Sequence, residues 1–342
     1  MKIIFCFSNL EIKQTIQLAL SKPNAYIIYV PNNELFSFLK SVLDEDRIRK
    51  INLPFIVGLK NPWSFIKWLI GHLKAKLNLR HEFGQYSNCE VYFFVVAYAD
   101  YLFWLIKFLA AKNKIYYQPV VKLPNMEVSK KLTDLIKIFF LQIDTGIKFR
   151  AYRKKDRAYY VVTDRYFKTV KVQNPFIPIN QALFDNWVRK KLDFSLVPGK
   201  ILLCVGGTVE SGFVNEREYI SKMDRIITLC CSLVPRAKLC LKLHPRFDKK
   251  YSLENHLTEL PRNYPASILI NLYDVVVSYS SAILFEASNI GKTAISLLEM
   301  MAPTDDWQKE KSKQYLLENA VRPIHFPKNE EEMRQILIGA LK

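Results

Sequence analysis

The feature that most limits how this chain can fold is a regular alternation of short apolar runs with longer amphipathic ones. "KIIFCF" (2–7), "NAYIIYV" (24–30), "KINLPFIVG" (50–58), "VYFFVVAY" (91–98) and "NKIYYQPVV" (113–121) read as strands. Between them "IKQTIQLALS" (12–21), "ELFSFLKSVL" (34–43), a basic segment from Asn61 to Arg80 and a run from Asp100 read as helices. The pattern resumes with "KILLCVGG" (200–207), a helix around Tyr219–Leu233, "AKLCLKLHP" (237–245) and a helix after Asn255. "YDVVVSYSS" (273–281), a helix over Ala282–Ser288, "TAISLL" (293–298) and a closing helix near Glu330–Leu341 complete it. Strands apolar on both faces and separated by helices predict a parallel sheet covered on each side. The chain is therefore expected to be α/β, with two tandem Rossmann-like doubly wound domains over residues 1–175 and 176–342. "NPFIPINQA" (174–182), with two prolines, is the linker candidate. A helix in "KLTDLIKIFFLQI" (131–143) and a strand in "AYYVVTDRYF" (158–167) are expected between the two alternating series.

Charge divides the same way. Residues 1–180 carry 28 basic and 13 acidic side chains, whereas residues 181–342 carry 22 and 19. The basic half favours anionic partners, but no nucleic-acid-binding module is legible in it. The six cysteines form no CxxC pair and have no histidines at ligand spacing, so reduced buried thiols are expected rather than a metal or disulfide framework. The opening "MKIIFCFSNLEIKQT" has too short an apolar run for a signal peptide, and a cytoplasmic protein is expected. Val91–Ala111 is long enough to span a bilayer, but Asp100 and Lys107 interrupt it, which favours a strand feeding a helix. "NPWSFIKWLIGHLKAKLNLR" (61–80) combines Trp63, Phe65, Ile66, Trp68, Leu69, Ile70 and Leu73 with Lys67, Lys74, Lys76 and Arg80. That composition suits both an interfacial helix at an anionic membrane and a core helix with a basic edge.

In open parallel sheets ligands bind beyond the carboxyl ends of the strands. Three such ends in the second half carry groups suited to a phosphate. After one strand, Gly206 and Gly207 allow close backbone approach and Thr208 adds a hydroxyl. After the next come Lys242, His244 and Arg246, with Pro245 fixing the turn. After the third, Ser278, Ser280 and Ser281 precede a helix start. Each has an ordinary reading as a turn or a cap, but their occurrence at one topological level predicts a shared anionic ligand.

The run "VGGT…KLHPRF…YDVVVSYSSAILFEAS", within residues 200–300, resembles the bacterial sialyltransferase and polysialyltransferase families of the GT-B fold. The resemblance implies that the His-Pro and serine-pair motifs hold the CMP part of a CMP-activated sugar, the donor substrate, with no cofactor. It implies that His244 contacts the donor phosphate and protonates the departing CMP, and that Ser280 and Ser281 bind the same phosphate. Those families carry an acidic pair followed by glycine after an N-terminal-domain strand, one carboxylate acting as base. Here the corresponding "KIYYQPVVKLPN" (114–125) holds no acid. Asp100, then Asp144 and Glu210, are the substitutes for a base that must take the acceptor hydroxyl's proton during an inverting transfer. No aspartate-based metal motif is evident in the sequence, in keeping with a metal-independent enzyme.

The expected protein is thus a glycosyltransferase moving an acidic sugar, a sialic-acid-like nonulosonate or Kdo, onto a bacterial surface glycan or glycolipid at the inner face of the cytoplasmic membrane. A CDP-glycerol or UDP-sugar transferase on the same fold is the alternative within the enzyme class. A non-catalytic glycan- or nucleic-acid-binding protein is the alternative outside it.

Overall fold

The structure, a computed structural model, describes residues 1–21, 25–51, 62–94, 100–117, 126–127, 149–154, 157–162, 180–191, 199–210, 212–244 and 257–342. The chain divides into two compact units, Met1–Pro178 and Ile179–Lys342.

In the first unit, β1 (Lys2–Phe5), α1 (Ile12–Ser21), β2 (Tyr26–Val30), α2 (Asn33–Val42) and β3 (Ile48–Lys50) are followed by α3 (Pro62–Phe83), β4 (Glu90–Phe93), α4 (Asp100–Ala110) and β5 (Lys114–Tyr117). The five strands are parallel in the order β3-β2-β1-β4-β5. Register aligns Phe5 with Tyr29 on one side and Phe93 on the other. Their rings stack across the sheet, with centroids 5.6 Å and 4.5 Å from that of Phe5. Phe83, from the last turn of α3, closes over them at 5.5 Å. Burying each such ring contributes about 1.5–3 kcal/mol, so the ladder anchors the sheet centre to α3. Gly84 then turns the chain out of the helix: a Cβ there would lie 2.5 Å from the Arg80 carbonyl oxygen. Two residues on, the hydroxyl of Tyr86 lies 2.7 Å from that of Tyr29.

A small antiparallel sheet, in the order β6-β8-β7, is built from β6 (Met126–Glu127), β7 (Phe149–Lys154) and β8 (Arg157–Val162). The strand expected in "AYYVVTDRYF" is there as β8, but its partners are antiparallel. Among the described residues of this part of the chain the pairing is antiparallel.

The second unit runs α5 (Gln181–Lys191), β9 (Ile201–Val205), α6 (Glu216–Leu233), β10 (Leu239–Leu243), β11 (Thr258–Glu259), α7 (Ala266–Leu269) and β12 (Val275–Ser278). It ends with α8 (Ile283–Asn289), β13 (Thr293–Ser296), α9 (Asp306–Asn319) and α10 (Glu330–Leu341). Its strands are parallel in the order β11-β10-β9-β12-β13, the third-second-first-fourth-fifth order of the first unit repeated. Both units therefore carry a Rossmann-type strand order, whose winding reverses beside the first strand. Two such domains in one chain make the fold GT-B-like.

Several elements differ from the sequence reading. β3 ends where the expected "KINLPFIVG" strand begins, and Ile51 closes it with an N–H bond to the Val30 carbonyl at 2.9 Å; residues 52–61 lie outside the described set. From Leu257 onward the helix expected after Asn255 is replaced by β11 and the four-residue α7, because Pro261 and Pro265 cannot continue a helical ladder. Neither α5 nor α9 was anticipated. α9 is charged throughout its first two turns and lacks an apolar stripe; Asp305 starts it by accepting the Trp307 N–H at 2.9 Å. The helix expected over 131–143 lies outside the described residues. Val91–Ala111 comprises β4 and α4, and among the described residues no helix is long and apolar enough to cross a membrane.

Candidate functional site

The candidate site is built at the carboxyl edge of the second sheet, where β10, β9 and β12 lie side by side. Register places Leu243 beside Val205, and both Lys242 and Ser278 beside Cys204. His244 continues the ladder for one more residue, its N–H reaching the Val205 carbonyl at 2.9 Å. Counting on from these pairs, His244, Gly206 and Ser280 leave the sheet within a residue of one another. Adjacent strands lie about 4.8 Å apart, so Gly206 sits between a histidine and a serine pair. The junction of β9 with β12 is also where the winding of the sheet reverses, the position at which such sheets form a crevice.

Gly206 is half-buried, and a Cβ added to it would meet nothing within 4 Å. Neither packing nor a left-handed backbone requires glycine at this point, so the space above it is open to another molecule. Gly207 is also half-buried, while Thr208 is buried, its carbonyl accepting the Phe213 N–H at 2.9 Å. Glu210 is exposed in the same turn.

Two of the expected phosphate ligands are occupied in holding the sheet. The Ser278 hydroxyl donates to the Cys204 carbonyl at 2.8 Å, tying β12 to β9. Lys242 is buried, and its ammonium donates to the carbonyls of Leu243 at 2.9 Å and Arg262 at 3.3 Å. Its charge opposes, without overcoming, the burial that pushes the neighbouring Cys204 thiol up to about 12. Ser280 and Ser281 are half-buried at the turn before α8, and the Ser281 hydroxyl accepts the Ile283 N–H at 3.4 Å. At seven residues α8 carries little of a macrodipole, so the serine side chains and turn amides, rather than a helix end, are the donors available here.

Pro245 and Arg246 lie outside the described residues, as does Asp144. Asp100 is the first residue of α4 in the other unit. Among the described residues no cluster of three or more His, Cys, Asp or Glu is placed to hold a metal ion.

Two residues near this edge were passed over in the sequence. Tyr279, between Ser278 and Ser280, is buried, and its hydroxyl has no hydrogen-bond partner among the described residues. Burial first, then the nearby Glu218 and Glu299 carboxylates, push this phenol up to about 12. It therefore remains a neutral donor at any physiological pH. Glu299 follows β13, and hydrogen bonds from Lys309 at 2.6 Å and Lys313 at 2.7 Å hold its carboxyl below the usual range. "SYSS" did single out the neighbours of Tyr279, but a tyrosine at a strand end has no chemical signature of its own.

No family model matches the chain, and no curated protein sequence matches it. Solved structures with a similar course include the Methanocaldococcus jannaschii UDP-GlcNAc 2-epimerase in complex with UDP-GlcNAc and UDP, at 11% identity and a TM-score of 0.49 over 100% of this chain and 93% of that one. The E. coli ADP-heptose LPS heptosyltransferase II gives 13% and 0.40 over 99% of each chain. The wall teichoic acid polymerase TagF gives 11% and 0.45 over 99% of this chain and 82% of that one.

Proposed function

We propose that the protein is a glycosyltransferase that takes an acidic sugar, a sialic-acid-like nonulosonate or Kdo, from a CMP-activated donor. Its acceptor would be a bacterial surface glycan or glycolipid. The observation that supports this reading is the register of β10, β9 and β12, whose carboxyl ends lie side by side across the reversal point of the second sheet and lead into His244, Gly206 and the Tyr279–Ser281 turn. The sequence resemblance of the "KLHPRF" and "YSS" segments to CMP-sugar enzymes supports the choice of nucleotide.

In this reading the donor phosphate lies over Gly206, with His244 on one side and the hydroxyls of Ser280 and Ser281 on the other. Thr208 and Gly207 line the turn, and Arg246, two residues after His244 in the sequence, is proposed as a further cation for the phosphate. Lys242 and Ser278 serve the site from below by fixing the ends of β10 and β12. The acceptor oxygen attacks the anomeric carbon as the bond from that carbon to the phosphate oxygen breaks. His244 gives its proton to the departing CMP, and a carboxylate takes the acceptor's proton. Asp100, Asp144 and Glu210 are the candidates for that base. Contact with an anionic membrane at the cytoplasmic face, through α3, would bring the chain to a lipid-borne acceptor.

The test is calorimetric binding of CMP, CDP, UDP and GDP, followed by transfer assays with CMP-sugars. Selective CMP binding supports the reading. Selective UDP or CDP binding moves the protein to a UDP-sugar or CDP-glycerol transferase, and binding of none of the four removes the donor site.

A further inference from the structure

A cavity of about 410 Å³ lies in the first unit between the final turns of α3 and α4, at the amino-terminal edge of the sheet. That edge is opposite the one at which open parallel sheets bind substrate. Among the described residues its lining includes Lys76, Arg80, Lys107 and Lys112 and no carboxylate. Its aromatic wall is the buried Trp104, on which Phe108 stacks at 5.2 Å. Lys76 and Arg80 both stand 5.5 Å from the Trp104 ring.

The walls are well fixed. Gly84 makes the tight exit from α3, and Asn113 joins the two rims by donating to the carbonyls of Tyr86 at 3.1 Å and Leu109 at 3.0 Å. Cations at helix carboxyl ends are favoured by the helix dipole alone. Four of them around a cavity with an aromatic wall also make a pocket for an anion, and the volume is enough for a phosphate with a small attached group.

The same helix presents an apolar stripe. Trp63, Ile66, Ile70, Leu73 and Leu77 recur every three or four residues along α3 and are exposed, by 73%, 44%, 59%, 53% and 63%. Lys67 and Lys74 flank the stripe on one side. Lys76 and Arg80 flank it on the other, three residues on from Leu73 and Leu77 and so beside them on the helix surface. The cavity cations thus border the stripe directly. An apolar stripe edged on both sides by cations is complementary to an anionic bilayer surface.

We propose that this cavity binds the phosphate headgroup of an anionic lipid, with the α3 stripe seated in the same leaflet. Four cations favour a phosphomonoester, which carries nearly two charges at neutral pH, over a phosphodiester. The inference deepens the membrane contact proposed above and does not rest on the donor site, since the assay contains no nucleotide.

The experiment is flotation of the full chain with phosphatidylcholine vesicles containing either phosphatidic acid or phosphatidylglycerol at equal total charge. The wild type is expected to bind phosphatidic acid vesicles about tenfold more tightly. Arg80→Ala with Lys107→Ala should remove that preference. Lys67→Ala with Lys74→Ala should weaken both vesicle types alike, roughly fivefold per cation, and keep the preference. Ile70→Ser with Leu77→Ser should abolish binding to either. Circular dichroism checks folding, and Lys112→Ala serves as a milder cavity variant whose preference should fall partway.

An unchanged preference in the cavity variants overturns the headgroup site while leaving membrane contact standing. Equal loss of preference in the Lys67/Lys74 variant reduces the effect to surface charge and also overturns it. Failure of the wild type to bind any vesicle overturns both. If glycerol 3-phosphate binds the cavity without vesicle binding, the ligand is a soluble phosphate instead. A dimer in sedimentation that is lost in the stripe variant, again without vesicle binding, assigns the stripe to a second copy of the chain.

Discussion

Replacing Glu11 with glutamine should change how the first unit's stability depends on pH. Glu11 is fully buried in the turn after β1. One carboxyl oxygen accepts the Phe7 N–H at 2.7 Å and the other the Ser8 hydroxyl at 3.2 Å, so the carboxyl ties the end of β1 to the turn that follows it. Those hydrogen bonds favour the ionised form, but burial outweighs them and raises the carboxyl from 4.5 to about 8. Between those two values the folded chain holds a proton that the unfolded chain has lost. Stability is therefore fully present below about pH 4.5 and declines as pH rises to about 8. The displacement corresponds to a ceiling of about 5 kcal/mol, and relaxation of the site should realise roughly half of it. Glutamine keeps the Phe7 acceptor and removes the titration. Denaturant unfolding of both chains from pH 5 to pH 8.5, read on the first unit's transition, isolates the effect because other groups cancel in the difference. The variant should gain on the wild type steadily across that range. A constant difference at every pH would show that Glu11 is ionised throughout and that its hydrogen bonds, not its burial, set its state.

Lys242→Met should destabilise the second unit by roughly 2–4 kcal/mol, because the Leu243 and Arg262 carbonyls lose their buried donor; unchanged stability with lost CMP binding would instead put the ammonium at the donor. Ser278→Ala should cost about 1 kcal/mol in thermal unfolding through the lost bond to Cys204, with CMP affinity of the folded chain unaltered. A large fall in affinity would show that its hydroxyl faces the ligand.

The parallel sheets were legible because their strands are apolar on both faces, as in "ILLCV" and "VVVS", where burial leaves little choice of residue. The candidate ligand groups at the edge of the second sheet stood out because glycine, histidine and serine at strand ends are chemically distinctive. Their neighbours were harder to read. Lys242 looks cationic in sequence, yet its ammonium is folded back onto carbonyls, a choice made by packing. α9 was hidden because an exposed, charged helix shows no apolar period. Glu11 carries no mark of burial in the sequence, because its enclosure depends on contacts that only the fold supplies. The exposed stripe on α3 was legible as composition; that Lys76 and Arg80 meet Trp104 from α4 was not, since it requires two helices to converge.

The most direct test of the donor site is CMP binding by calorimetry to the wild type, His244→Ala and Gly206→Val. The glycine variant is informative because a Cβ added there meets nothing within 4 Å, so the first side-chain atom enters open space rather than the packed fold. CMP is expected to bind the wild type, with affinity reduced at least tenfold in both variants at unchanged thermal stability. Wild-type-like CMP binding in both variants, or no CMP binding by the wild type, would contradict the assignment of this strand edge to a cytidylate.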